Sequence, residues 1–501
     1  MFLGCLGWAA LMLFFVSPDS FTHDMYYRWD SAWFFTCGKA WAEGLRPYVD
    51  FADSKGPLLW MIHAVAYWLS PYNYLGLFAL SIGLYGVVFY LDYQIAYLFL
   101  KDKGLSWLVV MLLPLAYFNP WYHFEISAED WCQPVISWTV YRLLKLLYTK
   151  DCRSQELLLT GWVLGFSLMW TLLIKFSLTV MLGVTACYGL WFLIRERIQL
   201  VKPLLGFVAG LLTLALPIGG YLLLTGTFAP FVQEYFVNTL QTVSSQSPLA
   251  DYMHEWFRTL ADAYYATLFG FSLLGGCLLG RRLGKDRLFL VIAFLGFYAL
   301  GIHHNYHRHY MNCCLFFLIP FIIYMVDSHR ERLLNTSPKC RRLMAGAVLL
   351  LVVVVNWTYT QGFIVPNLFF HHHADRQHYY TVGYYMSQVE KPRLLYYRYA
   401  ERGFGTPVGA LPSSKYWSTQ TNPTREMLAG QDADIATGRA DFVITYSKAE
   451  YDSLLTSSGY QRLYEFAPLA LYSKHRVQAP PASFRVSSMD VLLKRNVFRK
   501  D

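Results

Sequence analysis

Between residues 3 and 357 the chain alternates long apolar runs with short polar connections. The apolar segments fall at about 3–17, 73–99, 105–118, 132–149, 157–174, 176–194, 203–225, 264–280, 288–302, 310–326 and 343–357. Runs of this length and apolarity predict about eleven transmembrane helices. The stretch from Leu157 to Ile194 holds 38 residues and a single charge, Lys175. As one helix it would be roughly 57 Å long at about 1.5 Å per residue, against about 30 Å of hydrocarbon. A two-helix hairpin turning at Lys175 is therefore expected. The 132–149 segment carries Arg142 and Lys145, and is expected to span only if both side chains snorkel to the inner face.

From about residue 358 the pattern changes to mixed helical and strand periods. It predicts helices at 377–388, 424–435 and 447–457, and strands at 393–397, 441–446, 460–466 and 470–473. The domain reading is a transmembrane part over 1–357, a small α/β domain over 358–480, and a basic, poorly ordered tail over 481–501.

Composition narrows the class. Of the 501 residues, 55% are apolar and 15% are charged, too few charges to coat so much apolar surface in water. A purely soluble enzyme, a disordered chain, collagen and a coiled coil are excluded. The 42 basic and 33 acidic residues give a formal charge of +9. In a membrane chain that excess is read as an orientation signal, so no nucleic-acid partner is expected.

The basic residues collect in every second connection: Lys101 and Lys103; Lys150 and Arg153; Arg195, Arg197 and Lys202; Arg281, Arg282, Lys285 and Arg287; Arg330, Arg332, Lys339, Arg341 and Arg342. By the positive-inside rule these loops face the cytoplasm. The N-terminus is then cytoplasmic and the C-terminal domain lies outside. The first apolar segment is read as an anchor, since no small-residue cleavage site follows Val16. Nine cysteines, with no CxxC pair, predict neither a disulfide framework nor a zinc knuckle.

The opposite loops, 18–72, 119–131, the turn at Lys175, 226–263 and 303–309, are rich in Trp, Tyr and His and hold several carboxylates. Candidate chemistry concentrates there. Each candidate also has a plain structural reading. Asp30 suits a helix cap, and Glu129 and Asp130 suit the dipole at a helix N-terminus. Lys55 before Gly56-Pro57 suits a headgroup anchor at a helix start. His303, His304, His307, His309, His371, His372, His373 and His378 are read as interfacial hydrogen-bonding groups, and no protein-bound metal is assigned.

Taken in order, these loops resemble the GT-C glycosyltransferases, the group of aminoarabinose transferase, the protein O-mannosyltransferases and their bacterial relatives. The resemblance is carried by Asp30 in the first outer loop followed by Lys55-Gly56-Pro57-Leu58, and by Glu129-Asp130-Trp131-Cys132-Gln133-Pro134 in the second. That second element is similar to the paired-acid, aromatic, x, x, Pro string of Bacteroidetes-type members. His309-Tyr310, the 415–420 string and the 441–444 strand add weaker matches.

The resemblance implies an integral-membrane α-helical enzyme of GT-C type with a C-terminal extracytoplasmic α/β domain, lying in a bacterial inner membrane with that domain in the periplasm. It would move a sugar from a polyprenyl-phosphate donor to a lipid, glycan or protein acceptor with inversion. Asp30, Glu129 and Asp130 would be catalytic, with Asp30 as base. Lys55, Lys175, Arg308 and His309 would bind the donor phosphate, and Asp53 and Tyr310 would contact acceptor or sugar. Some members of the group use a divalent cation and others none, so the resemblance fixes no cofactor. The competing reading is a polytopic transporter or lipid-linked-saccharide flippase. That class places ionisable groups at the bilayer midplane, whereas most acids here flank helix ends, Asp92 excepted.

Overall fold

A computed structural model of the chain describes residues 1–17, 19–20, 30–118, 126–150, 152–244, 253–254, 257–258, 260–301, 308–360, 377–419, 423–486 and 498. Each apolar segment read from the sequence is helical over most of its length. Among the described residues four helices are long and apolar enough to cross a membrane: Leu75–Leu100, Ser154–Ile174, Phe176–Arg195 and Val201–Leu224. Other segments lie on shorter apolar helices such as Phe2–Val16 and Phe289–Gly301, and 343–357 lies within the 23-residue helix Pro338–Thr360.

Contacts divide the chain into two compact units, each assembled from segments far apart in sequence. The first unit comprises Met1–Val16, Ser81–Tyr221 and Val243–Gly362, and it is helical. Within it the expected break at Lys175 is present. The helix Ser154–Ile174 ends and Phe176–Arg195 begins around one extended residue, Lys175, with φ −153° and ψ 102°.

Ser154–Ile174 also meets Val201–Leu224 along a seam of glycines. A Cβ on Gly161 would run into the Pro203 carbonyl oxygen, and one on Gly165 into that of Phe207. The reciprocal clashes are Gly206 with the Leu158 oxygen and Gly210 with that of Trp162. Two facing Gly-xxx-Gly patterns thus let the backbones touch, which is how helices gain packing where lipid offers no hydrophobic drive.

Arg142 and Lys145 are paired, where the sequence had suggested snorkelling. Glu156, one helix on, accepts from Arg142 Nη2 at 2.7 Å and from Lys145 Nζ at 3.0 Å. Thr160 Oγ1 also contacts Arg142 Nη2, at 3.0 Å. A nearby carboxylate compensates a buried guanidinium more fully than a long reach to water. In the basic connections, Arg195 pairs with Asp286 at 2.9 Å, and Arg282 pairs with Asp327.

The second unit comprises Ser17–Leu80, Leu222–Thr242 and Phe363–Asp501. The first polar loop therefore packs with the C-terminal residues. The helices Asp30–Ala42 and Pro57–Leu69 form its crossed pair. They approach so closely that a Cβ on Gly38 would lie 2.5 Å from the Ala64 nitrogen.

The sheet of this unit runs β2-β1-β3-β5-β4, with β1 Arg393–Tyr396, β2 Leu411–Pro412, β3 Phe442–Tyr446, β4 Gln461–Phe466 and β5 Leu469–Ser473. β1 is parallel to β2 and β3, while β5 is antiparallel to β3 and β4. Helices Arg425–Thr437 and Ala449–Ser457 supply Ile435 and Leu455 to a core with Leu395, Val443, Ala470 and Tyr472. Thr424 caps the first of these by accepting from the Met427 nitrogen, and Gly438 ends it in the left-handed region with φ 65°. The strands and helices expected from residue 377 onward are all present, and the two-residue β2 and a 3₁₀ turn at Thr406–Val408 are additional. Most of the 481–501 tail lies outside the described residues.

Candidate active site

In the first unit, Lys175 is the structural centre of the candidate site. Its position between two helices projects the ammonium from the turn. There it forms an ion pair with Glu129 and lies 3.5 Å from the centroid of the Tyr310 ring. The Lys175 side chain is 14% exposed and that of Glu129 is 2% exposed, so water screens the pair weakly and their attraction is stronger than at a surface. The segment carrying Glu129 is fastened to the same hairpin, because Trp170 Nε1 donates to the Trp131 carbonyl at 2.9 Å.

Asp130 does different work from its neighbour. Its carboxylate is fully buried and accepts from the Ser127 nitrogen at 2.8 Å, Ser127 Oγ at 2.8 Å, Tyr85 Oη at 2.9 Å and Asn312 Nδ2 at 3.2 Å. Gln133 Nε2 in turn donates to the Asn312 carbonyl. Four donors converging on one carboxylate fix the local backbone. Asp130 therefore holds the turn that presents Glu129. Sequence reasoning paired the two acids but missed Tyr85, Ser127 and Asn312. The available signal was polar side chains within or beside apolar runs.

Arg308 and His309 lie with Tyr310 in the short 3₁₀ turn Arg308–Met311. His303, His304, His307 and His371, His372 and His373 fall outside the described residues. Among the described residues no group of three or more His, Cys, Asp or Glu side chains is arranged to hold a metal ion. Asp92, in the Leu75–Leu100 helix, is buried and accepts from Tyr117 Oη at 2.9 Å.

The second unit gathers the remaining candidates. Asp30 opens the helix Asp30–Ala42. Asp53 accepts from the Ser54 nitrogen at 2.6 Å, and Lys55 Nζ reaches Ser54 Oγ at 3.3 Å. Burial raises the Asp53 carboxyl above its ordinary value; the Lys55 charge opposes that and the Asp30 charge reinforces it. Asp53 thus lies within electrostatic reach of both Lys55 and Asp30. Gly56 precedes Pro57 at the start of Pro57–Leu69, and Tyr48 Oη donates to the Lys55 carbonyl at 2.9 Å. These contacts fix where Lys55 leaves the backbone.

Lys415 and Trp417 of the 415–420 string buttress this loop. The Lys415 carbonyl accepts from the Ala52 nitrogen at 3.0 Å, while the Lys415 ammonium pairs with Glu234 in the π-helical turn Val232–Asn238. Trp417 packs on Trp33 with ring centroids 5.3 Å apart. Further inside, Lys39 and Glu401 are both buried, near enough for each charge to act on the other. Burial lowers the Lys39 ammonium and raises the Glu401 carboxyl. Glu401 accepts from Tyr396 Oη at 3.0 Å and from the Gly403 nitrogen at 2.6 Å.

No protein-family model and no curated protein sequence matches the chain. The fold is similar to that of a solved aminoarabinose transferase. Aminoarabinose transferase ArnT from Cupriavidus metallidurans, solved bound to undecaprenyl phosphate, superposes with a TM-score of 0.62 at 12% identity. That alignment covers 96% of this chain and 99% of ArnT. The oligosaccharyltransferase AglB from Archaeoglobus fulgidus, in complex with an inhibitory peptide and a dolichol-phosphate, gives a TM-score of 0.46 at 11% identity, over 96% of this chain and 75% of its own. At 12% identity the likeness to ArnT is one of fold.

Proposed function

We propose that this protein is an integral-membrane glycosyltransferase that moves a sugar from a polyprenyl-phosphate donor to a lipid, glycan or protein acceptor, with inversion, on the periplasmic face of a bacterial inner membrane. The observation that carries this reading is the weakly exposed ammonium of Lys175 at a helix break, held by Glu129 and Tyr310, in a chain that shares the fold of a protein bound to undecaprenyl phosphate.

A lipid-linked donor keeps its chain in the bilayer and its phosphate at the rim, where a cation at a helix end is tolerated. In the proposed reaction the acceptor hydroxyl oxygen bonds to the anomeric carbon as that carbon's bond to the phosphate oxygen breaks. The bonding pair leaves with the polyprenyl phosphate, and a carboxylate takes the hydroxyl proton. Lys175 stabilises the charge growing on the leaving phosphate, with Lys55, Arg308 and His309 as the further proposed donor ligands. Asp30 is the proposed base, Glu129 and Asp130 complete the acidic set, and Asp53 and Tyr310 are proposed to contact sugar or acceptor.

The test is transfer by the full chain in membranes charged with polyprenyl-phosphate sugars, with products identified by mass analysis of glycolipids and glycoproteins. Wild type should add one sugar, and Asp30→Asn should insert and fold yet lose transfer. Undiminished transfer by Asp30→Asn removes Asp30 as base. No product with any donor removes the enzymatic reading.

A further inference from the structure

Resting on the proposed function, we infer that Glu129 is a resident counterion that occupies Lys175 between turnovers and is displaced by the donor phosphate. The geometry supplies the reasons. Lys175 meets the Glu129 carboxylate and the face of the Tyr310 ring. The Glu129 side chain is 2% exposed, and its backbone is fixed through Asp130, whose four donors anchor the adjoining residue. The carboxylate is therefore held at the ammonium by the protein's own contacts.

The surroundings favour a single anion. Lys175 is the residue before Phe176–Arg195, a helix of 20 residues whose first turn has no acidic residue and no side-chain cap, so its amide dipoles add positive potential beside the ammonium. A phosphate and a carboxylate at the same cation repel each other, and in a weakly screened site that repulsion is large. Phosphate binding and the Glu129 contact therefore compete.

This competition has a use in the catalytic cycle. After transfer the leaving polyprenyl phosphate carries more charge than the donor diester did, and Lys175 would hold it more tightly. The return of Glu129 to the ammonium expels it. Glu129 thereby weakens product binding and speeds release.

The test measures equilibrium binding of undecaprenyl phosphate to the full chain in nanodiscs for wild type, Glu129→Gln, Glu129→Ala, Lys175→Ala and the Glu129→Gln/Lys175→Ala double variant. Removing the competitor should tighten binding by on the order of tenfold, in both Glu129 variants, so that one variant that fails to fold leaves the other to report. Lys175→Ala should weaken binding, and the double variant should match Lys175→Ala. Unchanged or weaker binding in the Glu129 variants, with Lys175→Ala still weakened, overturns the counterion role and leaves the phosphate site standing. Wild-type affinity in Lys175→Ala overturns the phosphate site itself, and the inference with it.

Discussion

The Lys175 ammonium stands 3.5 Å from the centre of the Tyr310 ring, on the axis where an aromatic face attracts a cation. A contact of this kind, largely removed from water, contributes about 0.5–2 kcal/mol. Tyr310→Phe keeps the ring and should transfer sugar at a rate within about threefold of wild type. Tyr310→Leu should raise the donor KM by about 2- to 30-fold. Steady-state kinetics against donor concentration checks this, and equal KM values for the two variants would remove the ring from donor binding.

Asp130 and Glu129 should separate by assay. Removing the Asp130 carboxylate strands several buried donors, so Asp130→Ala should lower stability by about 3 kcal/mol or more. Tyr85→Phe removes one hydrogen bond and should cost about 1 kcal/mol. Thermal unfolding of the purified protein in one detergent reads both. An Asp130→Ala protein as stable as wild type would contradict the anchoring role.

The glycine seam between Ser154–Ile174 and Val201–Leu224 leaves no room for side chains. Gly165→Leu should abolish the folded, extractable protein, because the new side chain meets the Phe207 backbone. Gly165→Ala should cost about 1–3 kcal/mol. Yield after membrane extraction and the unfolding midpoint are the measurements, and a leucine variant of normal yield would show that the seam can open.

Lys39 and Glu401 set a pH dependence on stability. The Glu401 carboxyl is raised by burial. Its favourable contribution is complete below the ordinary glutamate value of 4.5 and is lost as pH rises through the raised value. The Lys39 ammonium is lowered, so its contribution is complete above the ordinary 10.5 and is lost as pH falls through the lowered value. The buried pair is thus least favourable near neutrality. A Lys39→Met/Glu401→Gln double variant should match or exceed wild type there by about 1–4 kcal/mol. That advantage should shrink at pH 4.5 and below, as followed by unfolding midpoints across pH.

Much of the architecture was legible because apolar length and strand alternation are local properties. Lys175 as a turn followed from the length of 157–194, and the strands after 392 followed from period-two runs. β2 was not legible, since Leu411–Pro412 is too short to show any period. The candidate site was legible in its charged members, which stand out in apolar sequence. The division of labour between Glu129 and Asp130 was not, because it depends on Tyr85 and Asn312, 45 and 182 residues away from Asp130. Nor does local pattern reveal that Lys415 braces Ala52, a backbone contact that any residue type can make.

A lone residue joins the helices Ser154–Ile174 and Phe176–Arg195, and this residue is itself the cation of the site. Inserting one amino acid at that joint would add about 3.3–3.6 Å of extended chain between the two helix ends and separate the ammonium from the first residue of Phe176–Arg195. The charge and the start of the following helix therefore share one peptide unit, and neither can be moved while the other stays put.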